Sequence, residues 1–150
     1  MRYGVLFATI LLAFCTVKGQ RTNTLDSLLC KTLERHVEYL NIIGSTTPFL
    51  LLKDNIPLDF MADNNYAKGY NFVFFDVNSI KKRKLKKGIF AYRVLPIKLE
   101  GNTLLFNISK IFITYKKGLH FAVGDNYLYK YKYFCNKNDW VFIDMQHIGI

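Results

Sequence analysis

The sequence contains no GxSxG nucleophile elbow, no phosphate-binding P-loop, no GxGxxG dinucleotide fingerprint and no HExxH metal helix. Each absence removes a class of enzyme that announces itself by local spacing. Collagen-like, coiled-coil and low-complexity compositions are also missing. Acids are scarce, 11 Asp and Glu against 21 Lys and Arg, so the 150 residues carry a formal charge of +10. Aromatics are plentiful, with 13 Phe, 10 Tyr and 1 Trp among 51% hydrophobic positions. Such a chain buries enough apolar area to offset its ordering entropy, which excludes a disordered tail and fits one folded domain.

The apolar stretch Val5 to Val17 covers 13 residues, whereas a helix needs roughly 20 to cross a bilayer. With Met1 and Arg2 before it and Val17-Lys18-Gly19 after it, residues 1–19 read as a cleaved secretory signal and residues 20–150 as a single domain. Leu12-Ala13-Phe14-Cys15 superficially matches a lipoprotein box, but the bulky Phe14 before the cysteine does not suit that cleavage. The expected address is therefore exported, periplasmic or extracellular, without a lipid anchor. Loss of the leader removes Arg2 and Lys18 and no acid, leaving 19 basic and 11 acidic residues, or +8.

Cys15 leaves with the leader. Cys30 and Cys135 then form an even pair in an exported protein, which makes them a candidate disulfide. The bridge would close a loop of about 105 residues, stabilising by roughly 4 to 5 kcal/mol in the chain-entropy account. Two separate buried thiols are the alternative, and spacing does not decide between them.

Leu25, Leu29, Leu33, Val37, Leu40 and Ile43 recur at helical spacing, with Lys31, Glu34, Arg35 and Glu38 opposite and Gly44 at the end. Phe49 to Leu52 is a short apolar run, and an irregular polar excursion follows from Asp54 to Gly69. Tyr70 to Val77 reads as a strand, and Asn78-Ser79 as the cap of a short helix spanning Ile80 to Lys87 that stops at Gly88. Ile89 to Leu99, Thr103 to Tyr115, Tyr127 to Cys135 and Trp140 to His147 read as a meander, with a hairpin turn at Glu100-Gly101-Asn102 and a looser connection over Lys116 to Asn126. Within Thr103 to Tyr115 the apolar phase changes, which predicts a bulge near Ser109-Lys110. The expected fold is α+β, an N-terminal amphipathic helix on a curved antiparallel sheet, an element order shared by cystatin-like and NTF2-like folds.

Lys81, Lys82, Arg83, Lys84, Lys86 and Lys87 hold six of the 19 mature basic residues, and without them +8 falls to +2. Between Val77 and Leu99 there are eight basic residues and no acid. That density suits phosphates or an anionic surface, although a solvated helix with cations near its C-terminus has the same composition. Export disfavours nucleic acid and leaves anionic lipid, lipopolysaccharide or acidic glycan as expected partners; a protein partner fits equally well.

Tyr127, Tyr129, Tyr131 and Tyr133 alternate, so in a strand their rings share one face, with Trp140 continuing it from the next strand. A four-residue turn at Asn136 to Asp139 would set Cys135 opposite Trp140 and Tyr133 opposite Phe142. The row would serve as a stacking platform or pocket lining, or it packs beneath the helix. His36, His120 and His147 show no metal-ligand spacing, and Asp54, Asp59 and Asp63 lack the alternation and bidentate Glu of a calcium loop, so no metal or cofactor is called for. An acid/base set such as His36, Asp144 and a tyrosine is selected by nothing in the spacing.

Leu85-Lys86-Lys87-Gly88, the Pro96-Ile97 to Asn102 hairpin, Thr114-Tyr115-Lys116-Lys117, Tyr131-Lys132-Tyr133-Phe134-Cys135, Trp140 and Gly149-Ile150 together resemble a group of small exported proteins of Bacteroidetes with no assigned activity. The resemblance covers roughly the second half of the mature chain. It implies a periplasmic or surface address and supplies no catalytic residues. The functional expectation is a non-catalytic exported binding or accessory domain that contacts an anionic envelope component through its basic helix. The alternative is a small enzyme or ligand binder using the concave face of the sheet.

Overall fold

The computed structural model describes residues 25–40, 48–56 and 71–149. The expected leader at 1–19, the helix end at Ile43 and Gly44, and Asp59 and Asp63 lie outside them. Helix α1 covers residues 25–39, and Leu28, Leu29, Thr32, Leu33, His36 and Val37 form its buried face. The stripe is wider than the leucine spacing alone predicts, because Thr32 and His36 are also buried and Leu25 remains 37% exposed. Burying each of Leu29, Leu33 and Val37 stabilises by about 2 kcal/mol before ordering entropy is subtracted.

Seven strands follow: β1 (Phe49–Leu52), β2 (Phe72–Phe75), β3 (Ile89–Val94), β4 (Lys98–Glu100), β5 (Thr103–Tyr115), β6 (Leu119–Phe134) and β7 (Asp139–Ile148). A 3-10 turn (Val77–Ser79) and helix α2 (Lys82–Lys86) intervene between β2 and β3. The sheet runs β2-β1-β3-β5-β6-β7, with β4 beside β5. It is mixed rather than antiparallel, since β1 is parallel to both β2 and β3. That placement covers β1 on both faces and accounts for its unbroken apolar run. Phe49 and Leu51 join the core under α1, whereas Leu50 and Leu52 join the core under α2.

Gly101, at φ 60°, turns β4 into β5. The single strand expected over Ile89 to Leu99 is interrupted at Leu95–Ile97, because Pro96 has no N–H to give a ladder. Leu95 N–H still donates to Asn107 O at 2.8 Å, holding the two pieces against β5.

The phase change in β5 marks a core that changes sides. β3 and β5 keep one continuous register from Ile89↔Ile113 to Val94↔Ile108, so β5 alternates regularly. Leu104, Phe106 and Ile108 therefore face α1, and Ile111 and Ile113 face α2. A bulge does lie at the expected level, but its extra residue belongs to β6 and not to the strand whose phase changes. Ser109 pairs with Asn126 and Ile111 with Val123, so Gly124-Asp125 of β6 stand against Lys110 alone. The extra residue keeps β6 in step with β5 on both sides of the bulge.

Candidate functional site

Helix α2 has five residues, and its only buried side chain is Leu85, which packs with Leu52, Phe75, Ala91, Ile111 and Ile113. One apolar anchor pointing down leaves Lys81, Lys82, Arg83, Lys84, Lys86 and Lys87 all exposed. The helix is shorter than expected. Asn78-Ser79 do not cap it: they belong to the preceding 3-10 turn, where the Asp76 carboxylate accepts from Asn78 N–H at 2.8 Å, and Lys81 starts α2 without a side-chain cap. Gly88 ends it at φ 78°, with a Cβ excluded by the Phe112 ring.

The fold adds cations to this block. The Lys82 ammonium lies 5.2 Å from the centre of the Tyr115 ring at the end of β5, and exposed Lys116 and Lys117 form the turn that follows. Among the described residues, the lysine and arginine ion pairs are Arg93–Asp54 and Lys130–Asp144, so none of these eight cations has an acidic partner. The looser connection expected over Lys116 to Asn126 is mostly strand. In the structure only Lys116–Gly118 turns, and β6 starts at Leu119.

The tyrosine row lies inside the protein. Tyr127, Tyr129 and Tyr131 are buried against α1, with Tyr133 half-buried and tilted against Trp140 at 5.3 Å. The β6–β7 turn is Cys135–Asn138, one residue earlier than expected, with Asn138 at φ 49°. Tyr133 consequently opposes Trp140 and Tyr131 opposes Phe142, which carries the aromatic face onto β7 in a register different from the one expected.

His36 sits at the centre of this face. Its Nδ1 is 2.8 Å from the Tyr129 hydroxyl, and its ring meets Tyr127, Tyr92 and Phe49 edge-on at 4.6, 5.1 and 5.6 Å. Nε2 has no hydrogen-bond partner among the described residues, and burial lowers the imidazole pKa from 6.5 to about 3. The ring is therefore neutral at ordinary pH. Nearby, Thr32 Oγ1 meets the Tyr131 hydroxyl at 3.0 Å, and burial raises the Tyr131 pKa.

The expected grouping of His36 with Asp144 does not form, because Asp144 opposes Lys130 on the other face of the sheet, 4.0 Å away. A different set meets at the margin of the aromatic core. His147 Nε2 is 3.1 Å from Asp125 Oδ1, its Nδ1 is 3.5 Å from the Tyr39 hydroxyl, and its ring stacks on Tyr127 at 4.7 Å. Burial first, then Tyr127 and the Asp125 charge, push the Tyr92 phenol up to about 12. Only the strand register and the bulge bring Asp125 to His147, so nothing in the local spacing announces the pair.

Cys30 and Cys135 are not bridged. Cys30 is buried in α1, where its thiol donates to Glu34 Oε1 at 3.5 Å; burial and the Glu34 charge push its pKa up to about 12. Cys135 is exposed in the β6–β7 turn. Among the described residues no three His, Cys, Asp or Glu side chains cluster as a metal site would require. Compared with protein families, curated proteins and solved structures, the chain matches none.

Proposed function

We propose that this chain is an exported, non-catalytic binding domain whose basic helix contacts an anionic component of the cell envelope. The observation that carries the reading is the exposure of all six cations of Lys81–Lys87 with Lys116 and Lys117 beside them, unpaired among the described residues. A cationic end on an otherwise nearly neutral domain raises the local concentration of phosphate or carboxylate groups. Anionic lipid, lipopolysaccharide phosphate and acidic glycan all offer that chemistry. A periplasmic or surface address agrees with the leader-like N-terminus and with the resemblance to small exported Bacteroidetes proteins.

Near an anionic surface each Lys or Arg contributes about 1 kcal/mol. Replacing the six by Gln is therefore expected to abolish salt-sensitive binding to lipopolysaccharide or to phosphatidylglycerol vesicles. Unchanged binding in that variant, or none in the parent, refutes the reading.

A ligand-binding or enzymatic role on a concave face has less support, because the sheet is not curled and α1 covers the face that carries the tyrosines. What favours it is the Asp125–His147–Tyr39 contact at that margin, an imidazole held between a carboxylate and a phenol. The helix-then-sheet order is compatible with a cystatin-like or NTF2-like relationship, from which the parallel strands β1 and β2 would be a departure.

A further inference from the structure

The first half of β6 is exposed throughout residues 119–124. β7 pairs with β6 only from Asn126 onward, so among the described residues no strand lies along the outer edge of residues 119–125. Leu119, Phe121 and Val123 oppose Tyr115, Ile113 and Ile111, the row of β5 whose isoleucines pack with Leu85 of α2. The three apolar side chains thus form a row on the same face as α2, one strand away from it. They are 37%, 41% and 50% exposed. Lys82 reaches over Tyr115, the residue paired with Leu119, and Lys116 and Lys117 close the end of the row.

Among the described residues, Asp54 and Asp76 are the exposed acids beside Phe121. Asp54 holds Arg93 at 2.9 Å, and the Arg93 guanidinium lies 5.3 Å from the centre of the Phe121 ring. Asp76 accepts from Asn78 N–H. What faces outward is an apolar row whose Leu119 end carries the cations of α2 and Lys116-Lys117. Scattered exposed apolar residues are ordinary in soluble proteins, but a contiguous row rimmed by polar and charged groups marks an interaction surface. The charge selects the occupant: a second copy of the same end would bring eight cations against eight, whereas an anionic bilayer meets both the charge and the apolar row.

We infer that Leu119, Phe121 and Val123 enter the headgroup–acyl boundary of an anionic bilayer, while α2 and Lys116-Lys117 hold the headgroup phosphates. This rests on the anionic-surface reading above and narrows its partner to lipid. The unpaired edge of β6 stays within the hydrated headgroup zone, where water and phosphate oxygens satisfy its N–H groups.

The test compares the parent chain, Phe121→Ser/Val123→Ser and the six-residue Lys/Arg→Gln variant on vesicles of phosphatidylcholine with and without phosphatidylglycerol, with lipopolysaccharide as a separate arm. Both serine sites are exposed, and an unchanged thermal transition verifies the fold. The parent is expected to bind only the anionic vesicles and to retain part of its binding at about 0.5 M NaCl, where charge contacts are screened. The serine pair is expected to weaken binding about tenfold and to lose the salt-resistant part. A Trp at 121 (Phe121→Trp) should shift its emission to the blue on adding anionic vesicles. A serine variant with parental affinity and salt response overturns the insertion and leaves the charge reading standing. Binding to lipopolysaccharide without binding to phosphatidylglycerol vesicles overturns the lipid assignment alone; no binding in either arm overturns both.

Discussion

Lowering the pH should destabilise this protein through His36 in particular. The imidazole is fully buried, and its pKa falls from 6.5 to about 3 because burial penalises the charged form. The unfolded chain takes up a proton below about pH 6.5 that the folded chain refuses. The stability held by the neutral ring is thus complete above the unfolded value and is lost as pH falls from 6.5 toward 3. At about pH 5 the loss amounts to roughly 2 kcal/mol, and it approaches about 5 kcal/mol near pH 3. The assay is urea unfolding at a series of pH values for the parent and for His36→Gln, which cannot titrate but keeps a polar atom toward Tyr129. At neutral pH the variant should be the less stable of the two, and the gap should narrow by about 2 kcal/mol by pH 5, a midpoint change of about 1 M urea. Parallel stability profiles across that range would refute the argument, because they would mean that His36 is solvated or protonated in the folded state.

Leu85→Ala should cost about 2 to 5 kcal/mol by calorimetry or urea unfolding, because it removes the only buried side chain of α2. Tyr129→Phe should cost about 1 to 3 kcal/mol, since it strips His36 Nδ1 of its partner inside the core; a neutral result would show that the 2.8 Å contact is not a hydrogen bond. Gly88→Ala combines a left-handed φ of 78° with a Cβ driven into the Phe112 ring, and a loss of about 2 to 4 kcal/mol is expected in thermal unfolding. In a thiol titration of residues 20–150, which lack Cys15, Cys135 should react quickly and Cys30 only on unfolding, so Cys135→Ser should remove the fast phase; equal rates would contradict the burial of Cys30.

Where side chains report their own burial, the sequence was legible. Leu29, Leu33 and Val37 mark the inner face of α1 by spacing alone, and the hairpin at Gly101 and the span of β5 follow from turn chemistry and alternation. The phase change in β5 points to the right position for a bulge but for the wrong reason: β5 alternates regularly and moves its apolar residues to the other side of the sheet, while the extra residue of the bulge lies in β6. Partnership between distant segments was not legible. The parallel pairing of β1 with β2 and β3 leaves no local trace, and a one-residue error in placing the β6–β7 turn was enough to reassign the partners of Tyr133 and Trp140. Leu119 to Val123 reads as a connection because Gly118 and Gly124 bracket it, although Leu119, Phe121 and Val123 alternate as a short strand does. At the candidate site, the six cations of Lys81–Lys87 were evident as a run; Lys116, Lys117 and the apolar row joined them only through the β5–β6 pairing. Whether Cys30 and Cys135 are bridged was not legible, because an even count says nothing about distance.

The crossing of the core through β5 makes the sheet a partition with one apolar compartment on each side, joined through backbone rather than through touching side chains. Leu29 and Leu85 belong to different compartments. Damage on one side should therefore reach the other only weakly, and the costs of Leu29→Ala and Leu85→Ala should sum in the double variant to within about 0.5 kcal/mol. A molecule arranged this way can loosen the end that bears its cations while the α1 compartment stays closed.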